Sequence, residues 1–170
     1  MKDINQLISI IIPVFNESES ISYLLDEVKS VMQSHESKFE LIVVNDGSQD
    51  NTSKVLEGLN LKIKELVVIS LRKNYGQTAA MAAGFDNSKG DIVITLDGDL
   101  QNDPNDIPIL ISEINKGYDL ICGWRFERKD KLINRRIPSK IANKLIAKVT
   151  GLKLHDYGCS LKAFKKEIID

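Results

Sequence analysis

The clearest chemical feature of this 170-residue sequence is a pair of carboxylates, Asp97 and Asp99, separated by Gly98. They directly follow the apolar run at 92–96, which is typical of a buried strand. Carboxylates in this arrangement can turn toward one hard cation, and protein-bound Mg²⁺ is commonly held by one or two carboxylates plus substrate phosphates. The same residues also suit a strand-ending turn in which Asp and Gly serve only the backbone. The pattern therefore indicates either a metal-diphosphate site or a plain turn.

A second polar cluster, at 45–52, reads NDGSQDNT. Its glycine and serine suit a turn, and Asp50 or Asn51 suits the N-terminal cap of a following helix. The pattern assigns Asp46 neither a turn nor a capping role. A carboxylate at the end of a strand can accept a hydrogen bond from a base N–H or a ribose hydroxyl, so Asp46 is a candidate nucleoside contact.

Several other chemistries lack their residues. The sequence contains no GxGxxG, no GxxxxGK[ST] and no GxSxG, which argues against dinucleotide, P-loop and serine-hydrolase sites. Two histidines and two cysteines without a CxxC spacing offer little to zinc. An EF-hand starting at Asp97 would need Glu at its twelfth position, where Pro108 stands.

Charge is distributed unevenly along the chain. The net charge is -1, from 23 Lys and Arg against 24 Asp and Glu, which argues against a general nucleic-acid binder. Residues 121–155, however, hold ten basic side chains against two acidic ones. A basic block inside a neutral chain indicates an anionic partner for that block alone.

The elements that must position these residues follow a βαβ pattern. Short apolar, β-branched runs predict strands at 7–13, 39–44, 65–71, 91–96 and 118–124. Helical periodicity predicts helices at 18–34, 51–59, 76–88, 105–116 and 138–150. The fold class is therefore α/β, with a mostly parallel central sheet covered by helices on both faces. In such sheets ligands bind at the carboxyl ends of the strands, so the polar loops should converge on one edge.

Five motifs in fixed order resemble glycosyltransferase family 2, whose fold is the Rossmann-like GT-A type. They are PVFNE at 13–17, Asp46, the Asp97-x-Asp99 pair, GWR at 123–125 with RRIPS at 135–139, and DYGCSLKA at 156–163. The later motifs resemble the branch that glycosylates polyprenyl phosphates, the dolichol-phosphate mannose synthase-like enzymes. The resemblance covers nearly the whole chain.

The resemblance implies roles for individual residues. Pro13, Phe15, Glu17, Asp46 and Asp97 would bind the nucleotide sugar. Mg²⁺ or Mn²⁺ would be held by Asp97 and Asp99, with Gln101 beside them.

On the acceptor side, the resemblance implies that Arg125, Arg135 and Ser139 grip the acceptor phosphate. Arginine's planar fork matches phosphate oxygens in pairs, which agrees with this role. The implied catalytic residues are Asp99, Arg125 and Asp156. A phosphate acceptor is already ionised at neutral pH, so Asp156 would orient groups rather than abstract a proton.

The function implied is metal-assisted, inverting transfer of a sugar from a nucleotide diphosphate sugar to a polyprenyl phosphate. We expect one catalytic domain over 1–170, with a nucleotide-sugar part at 1–100 and an acceptor part at 101–170 that is incomplete at its C-terminus. The expected location is cytoplasmic, peripheral at the cytoplasmic face of the membrane, with a homo-oligomer or a membrane-subunit partner left open. The alternatives are a family 2 transferase acting on a sugar hydroxyl and a nucleotide-sugar-binding module without turnover.

Overall fold

A computed structural model of the chain describes residues 6–124 and 158–169. Strands and helices alternate over these ranges, with a short 3₁₀ turn before the last helix and another after the last strand. The strands are β1 (Leu7–Val14), β2 (Lys38–Asn45), β3 (Leu66–Ser70), β4 (Ile92–Thr95), β5 (Leu120–Cys122) and β6 (Lys162–Lys165). The helices are α1 (Ile21–His35), α2 (Thr52–Asn60), α3 (Gln77–Asn87) and α4 (Ile107–Asn115).

The strands form one sheet in the order β3-β2-β1-β4-β6-β5. The pairs β1–β2, β2–β3 and β1–β4 are parallel, as expected for strands joined by crossover helices. Strand β6 runs antiparallel to both β4 and β5, between which it lies. The predicted α/β class with a mostly parallel sheet is confirmed. The sequence did not predict that β6 would lie between β4 and β5.

Two apolar cores cover the two faces of the sheet because side chains alternate along each strand. On one face, Ile8, Ile10 and Ile12 of β1 pack in a large cluster with the apolar stripes of α1 and α4. On the other face, Ile11 packs with Ala80 of α3 and with neighbouring strand residues. All of these isoleucines are fully buried, which explains why β1 is a continuous apolar run.

Helix α3 packs closely against the sheet at Gly84. A Cβ atom on Gly84 would lie 2.3 Å from Cγ2 of Ile11, so no side chain fits at that position. The start of α3 lies at the edge of the sheet where β2 ends, because the Gly76 N–H donates to Asp46 directly after that strand.

The predicted helix at 138–150 lies outside the described residues. None of the helices in residues 6–124 and 158–169 has the length and apolar composition needed to cross a bilayer.

Candidate functional site

A cleft of about 270 Å³ opens at the carboxyl ends of β1, β2 and β4. Four loops contribute to it, those that follow β1, β2, β3 and β4. Its walls include the predicted nucleotide-sugar residues and one further acidic residue, namely Pro13, Phe15, Glu17, Asp46, Asp97 and Asp99. Residues far apart in the sequence therefore share one cleft, at the edge that a parallel sheet predicts.

The loops after β1 and β2 are joined to each other by hydrogen bonds. The Asn16 amide N–H donates to Ser48 Oγ at 2.9 Å, and the Gln49 N–H donates to Asn16 Oδ1 at 2.8 Å. The Glu17 N–H donates to Thr52 Oγ1 at 2.9 Å. These bonds hold the loop that carries Phe15 and Glu17 in a set position before any ligand arrives.

Asp50 organises the start of α2 beneath these loops. Its carboxylate accepts hydrogen bonds from the Thr52 hydroxyl and, at 2.9 Å, from the Thr52 N–H. The Thr52 hydroxyl bond, more than any other contact, holds the pKa of Asp50 well below its usual range. Of the two caps considered from the sequence, Asp50 supplies the side-chain bond, whereas Asn51 makes none.

Asp46 has a backbone role that its sequence pattern did not indicate. The side chain is only 3% exposed, and its two oxygens accept the N–H groups of Tyr75 and Gly76, each at 2.8 Å. Gly76 has φ of +92°, which favours glycine, and it immediately precedes α3. Asp46 therefore both lines the cleft and holds the turn from which α3 begins.

The loop after β4 is held through both members of its Asp97–Asp99 pair. Gln77, the first residue of α3, donates from Nε2 to Asp97 Oδ1 at 2.6 Å. The Gln101 N–H donates to Asp99 Oδ1 at 3.1 Å, closing a local turn. Gly98 between them is buried, and a Cβ there would lie 2.8 Å from Cγ1 of Val14. Glycine thus lets the acidic loop pack directly on the end of β1.

The donor atoms at this loop suit a hard divalent cation. Asp97 and Asp99 are both oxygen donors at the cleft wall, which is the ligand type that Mg²⁺ and Mn²⁺ accept. Residues 6–124 and 158–169 contain no group of three or more His, Cys, Asp and Glu side chains able to hold a metal. Two carboxylates fit a cation that completes its coordination with substrate phosphate oxygens and water.

A second cavity, of about 360 Å³, adjoins the cleft and shares Gln77 and Asp97 with it. It lies between α3 and the strands β4 and β6. Apolar side chains of Met81, Phe85 and Phe164 line part of it. The rest of its lining includes the polar residues Thr78, Thr95, Ser160 and Lys162.

Buried polar contacts fix the segment around Ser160 beside this cavity. Asn102 is 7% exposed and donates from Nδ2 to Ser160 Oγ at 2.9 Å, while the Cys159 thiol donates to Asn102 Oδ1 at 3.6 Å. The Thr95 hydroxyl donates to the Ser160 carbonyl oxygen. The segment before β6 is thereby tied to both the end of β4 and the loop that carries Asp99.

The remaining predicted residues divide into two groups. Gln101 is exposed and does not line the cleft, and its backbone N–H donates to Asp99 Oδ1. The acceptor-side residues lie outside the described residues: Arg125, Arg135, Ser139 and Asp156. Sequence reasoning missed the cleft residues Gly76 and Gln77, although a glycine between a strand and a helical pattern was the signal that could have identified this loop.

Comparison with known proteins agrees with this geometry. Residues 9–170 match the profile of the family described as Glycosyl transferase family 2. The chain is 49% identical over 169 residues to dodecaprenyl-phosphate galacturonate synthase of Rhizobium johnstonii, covering 95% of this chain and 48% of that protein. It is 44% identical over 164 residues to undecaprenyl-phosphate 4-deoxy-4-formamido-L-arabinose transferase of Proteus mirabilis, covering 96% and 50%. The chain thus spans about half the length of the curated relatives it matches.

Among solved structures, the chain is similar to glucosyl-3-phosphoglycerate synthase from Mycobacterium tuberculosis, in a complex with Mn²⁺, uridine diphosphate and phosphoglyceric acid. The TM-score is 0.75 at 22% identity, covering 96% of this chain and 57% of the other. This likeness confirms the predicted GT-A-type fold. With the profile match over nearly all of its length, the chain belongs to glycosyl transferase family 2.

Proposed function

We propose that the chain is the catalytic domain of an inverting glycosyltransferase. In this proposal it transfers a sugar from a nucleotide diphosphate sugar to a polyprenyl phosphate, with a divalent cation at Asp97 and Asp99. The observation that carries the proposal is the shared cleft, in which two carboxylates suited to a metal lie with Pro13, Phe15 and Asp46.

In this proposal the donor lies along the cleft. Phe15 offers an aromatic surface for a base, and Glu17 offers a carboxylate to hydroxyl groups. The diphosphate would then reach Asp97 and Asp99 in the loop after β4, the strand beside β1 in the sheet. The sugar, on the far side of the diphosphate, would extend toward the second cavity, which shares Gln77 and Asp97 with the cleft.

The choice of acceptor is supported by the relatives. The two proteins compared above are a dodecaprenyl-phosphate galacturonate synthase and an undecaprenyl-phosphate transferase. The fold neighbour that was solved with Mn²⁺ and uridine diphosphate supports a divalent metal beside the nucleotide. Mg²⁺ and Mn²⁺ are the candidates for that metal.

In the proposed reaction, an oxygen of the acceptor phosphate attacks the anomeric carbon of the donor sugar. The bond between that carbon and the diphosphate oxygen breaks, and the nucleoside diphosphate leaves with the electron pair. When bound, the divalent cation supplies Lewis-acid stabilisation of the departing diphosphate. The acceptor phosphate needs no deprotonation at neutral pH, because it is already ionised.

The acceptor side of the proposal uses residues outside the described ranges. Arg125, Arg135 and Ser139 would bind the acceptor phosphate, and Asp156 would orient the reacting groups. The basic block at 121–155 suits an anionic lipid and a peripheral position at the cytoplasmic face of the membrane.

The test is a panel of nucleotide sugars incubated with Mg²⁺ or Mn²⁺ and a short polyprenyl phosphate, with the lipid product read by mass. The expected result is one glycosylated lipid phosphate whose formation requires metal. Asp99→Asn should lose at least about tenfold in rate, because one carboxylate of the metal pair becomes a neutral amide. Asp86→Asn is the matched control, because it makes the same chemical change at an exposed residue of α3 that lines neither the cleft nor the second cavity.

Three results would contradict the proposal. Transfer only to soluble sugar hydroxyls would favour the family 2 alternative. Thermal stabilisation by a nucleotide sugar without any product would favour a binding module. Unchanged lipid glycosylation by Asp99→Asn in a metal-supplemented assay would remove the assigned role of the acidic pair.

A further inference from the structure

We propose that Gln77 is a positioning residue that holds the Asp97 carboxylate in the orientation needed for the divalent cation and the donor diphosphate. The inference rests on the proposed function, since it assigns Asp97 to that site. It adds a residue that neither the acidic motif nor the family resemblance marks.

The contact between the two side chains is direct. Gln77 Nε2 donates to Asp97 Oδ1 at 2.6 Å, joining the first residue of α3 to the loop after β4. Both residues line the cleft and the second cavity, so the pair forms a wall common to both. An amide N–H can only donate, so this bond commits Oδ1 of Asp97 as an acceptor and restricts rotation of the carboxylate. Ligating carboxylates are typically hydrogen-bonded in this way.

Gln77 directly follows a turn that is itself held by hydrogen bonds. Asp46 accepts the N–H groups of Tyr75 and Gly76, and Asn74 Oδ1 accepts the Gly76 N–H at 3.0 Å. A fully formed turn therefore sets the first residue of α3 before any donor binds.

The loops after β2 and β3 also press closely together at this turn. Gly47 has φ of +67°, and a Cβ there would lie 2.3 Å from the carbonyl carbon of Lys73. Only glycine permits this approach of the two backbones. Asp46, Gly76, Gln77 and Asp97 thus form one continuous line of contacts from β2 to β4.

Gln77 is exposed, so direct contact with the nucleotide is the competing role. The two roles differ in how substitutions combine. If Gln77 acts through Asp97, removing the Gln77 side chain should not reduce Mn²⁺ affinity further once Asp97 no longer binds the metal. If Gln77 contacts the nucleotide, its loss should weaken binding in either background.

The experiment measures Mn²⁺ affinity of the full chain by electron paramagnetic resonance of free Mn²⁺, in the presence of saturating UDP or GDP, whichever binds. Gln77→Ala should weaken Mn²⁺ binding about tenfold, which is the loss expected when a hydrogen-bond partner of a metal ligand is removed. Its affinity for the nucleotide without metal and its Tm should stay at wild-type values. Gln77→Asn keeps the amide but shortens the side chain by one methylene. The amide should then no longer reach Asp97, so Mn²⁺ binding should weaken by a similar factor.

Asn87→Ala is the matched control, since it also removes a side-chain amide from an exposed residue of α3, and Asn87 lines neither the cleft nor the second cavity. It should leave Mn²⁺ affinity within about twofold of wild type. Adding Gln77→Ala to Asp97→Asn should change Mn²⁺ affinity no further.

Mn²⁺ affinity of Gln77→Ala within twofold of wild type would overturn the inference while leaving the proposed function intact. So would an equal loss from Gln77→Ala in the wild-type and Asp97→Asn backgrounds. Failure of the wild-type chain to bind Mn²⁺ with either nucleotide would instead overturn the proposed function, and the inference with it.

Discussion

The buried carboxylate of Asp46 offers a test of whether the cleft is preformed by the fold. In Asp46→Asn the side chain keeps its size but loses its charge and one of its two acceptor oxygens. The N–H groups of Tyr75 and Gly76 each donate to a different oxygen of Asp46 at 2.8 Å. The amide can serve only one of them, and its NH₂ group then faces the other donor.

The expected cost follows from these two bonds. A hydrogen bond to a charged group contributes about 1.5–3 kcal/mol, and leaving a buried donor unsatisfied costs about 1–3 kcal/mol. One bond is lost and the other becomes neutral, at a side chain that is 3% exposed, so we expect the free energy of unfolding to fall by about 2–4 kcal/mol. For a chain of this size, that corresponds to a decrease in Tm of roughly 5–15 °C.

The assay is urea unfolding followed by circular dichroism, together with a thermal melt. Asp99→Asn is the matched control, because it makes the same chemical change at an exposed residue of the same cleft. It should lower the free energy of unfolding by no more than about 0.5 kcal/mol, as surface substitutions usually do. If Asp46→Asn were as stable as Asp99→Asn, the carboxylate would not hold the start of α3, and the preformed cleft would be wrong.

Two further predictions concern packing and pH. Gly84→Ala should lower the free energy of unfolding in urea by about 1–3 kcal/mol, because its Cβ would lie 2.3 Å from Ile11 Cγ2. Gly58→Ala is the comparison in α2: its Cβ would have nothing within 4 Å, so it should raise the free energy of unfolding by up to about 1 kcal/mol. Equal effects of the two substitutions would refute the close packing of α3. The Thr52 hydroxyl keeps the pKa of Asp50 low in the folded chain, so its contribution to stability should be complete above about pH 4 and be lost as the pH falls toward the lowered value. Unfolding titrations of Asp50→Asn should therefore show a weaker loss of stability below pH 4 than wild type, and identical acid profiles would contradict this reading.

Much of the fold follows from local pattern. The β-branched run of β1 predicts a strand buried on both faces, and Ile8, Ile10, Ile11 and Ile12 are all fully buried. The antiparallel strand β6 between β4 and β5 could not be predicted in the same way. Its pairing depends on which edge of the sheet is open when the chain returns, and that is not encoded in the strand's own residues.

The candidate site shows the same division. Residue types alone mark Asp97 and Asp99 as either metal ligands or turn residues, and they mark Asp46 as a candidate nucleoside contact at a strand end. The hydrogen bonds of Asp46 to the turn before α3, and of Gln77 to Asp97, join residues at least twenty positions apart. No local pattern carries that information. Chemical identity is a property of each side chain and can be read along the chain, whereas the partner of a side chain is set by how helices and strands pack.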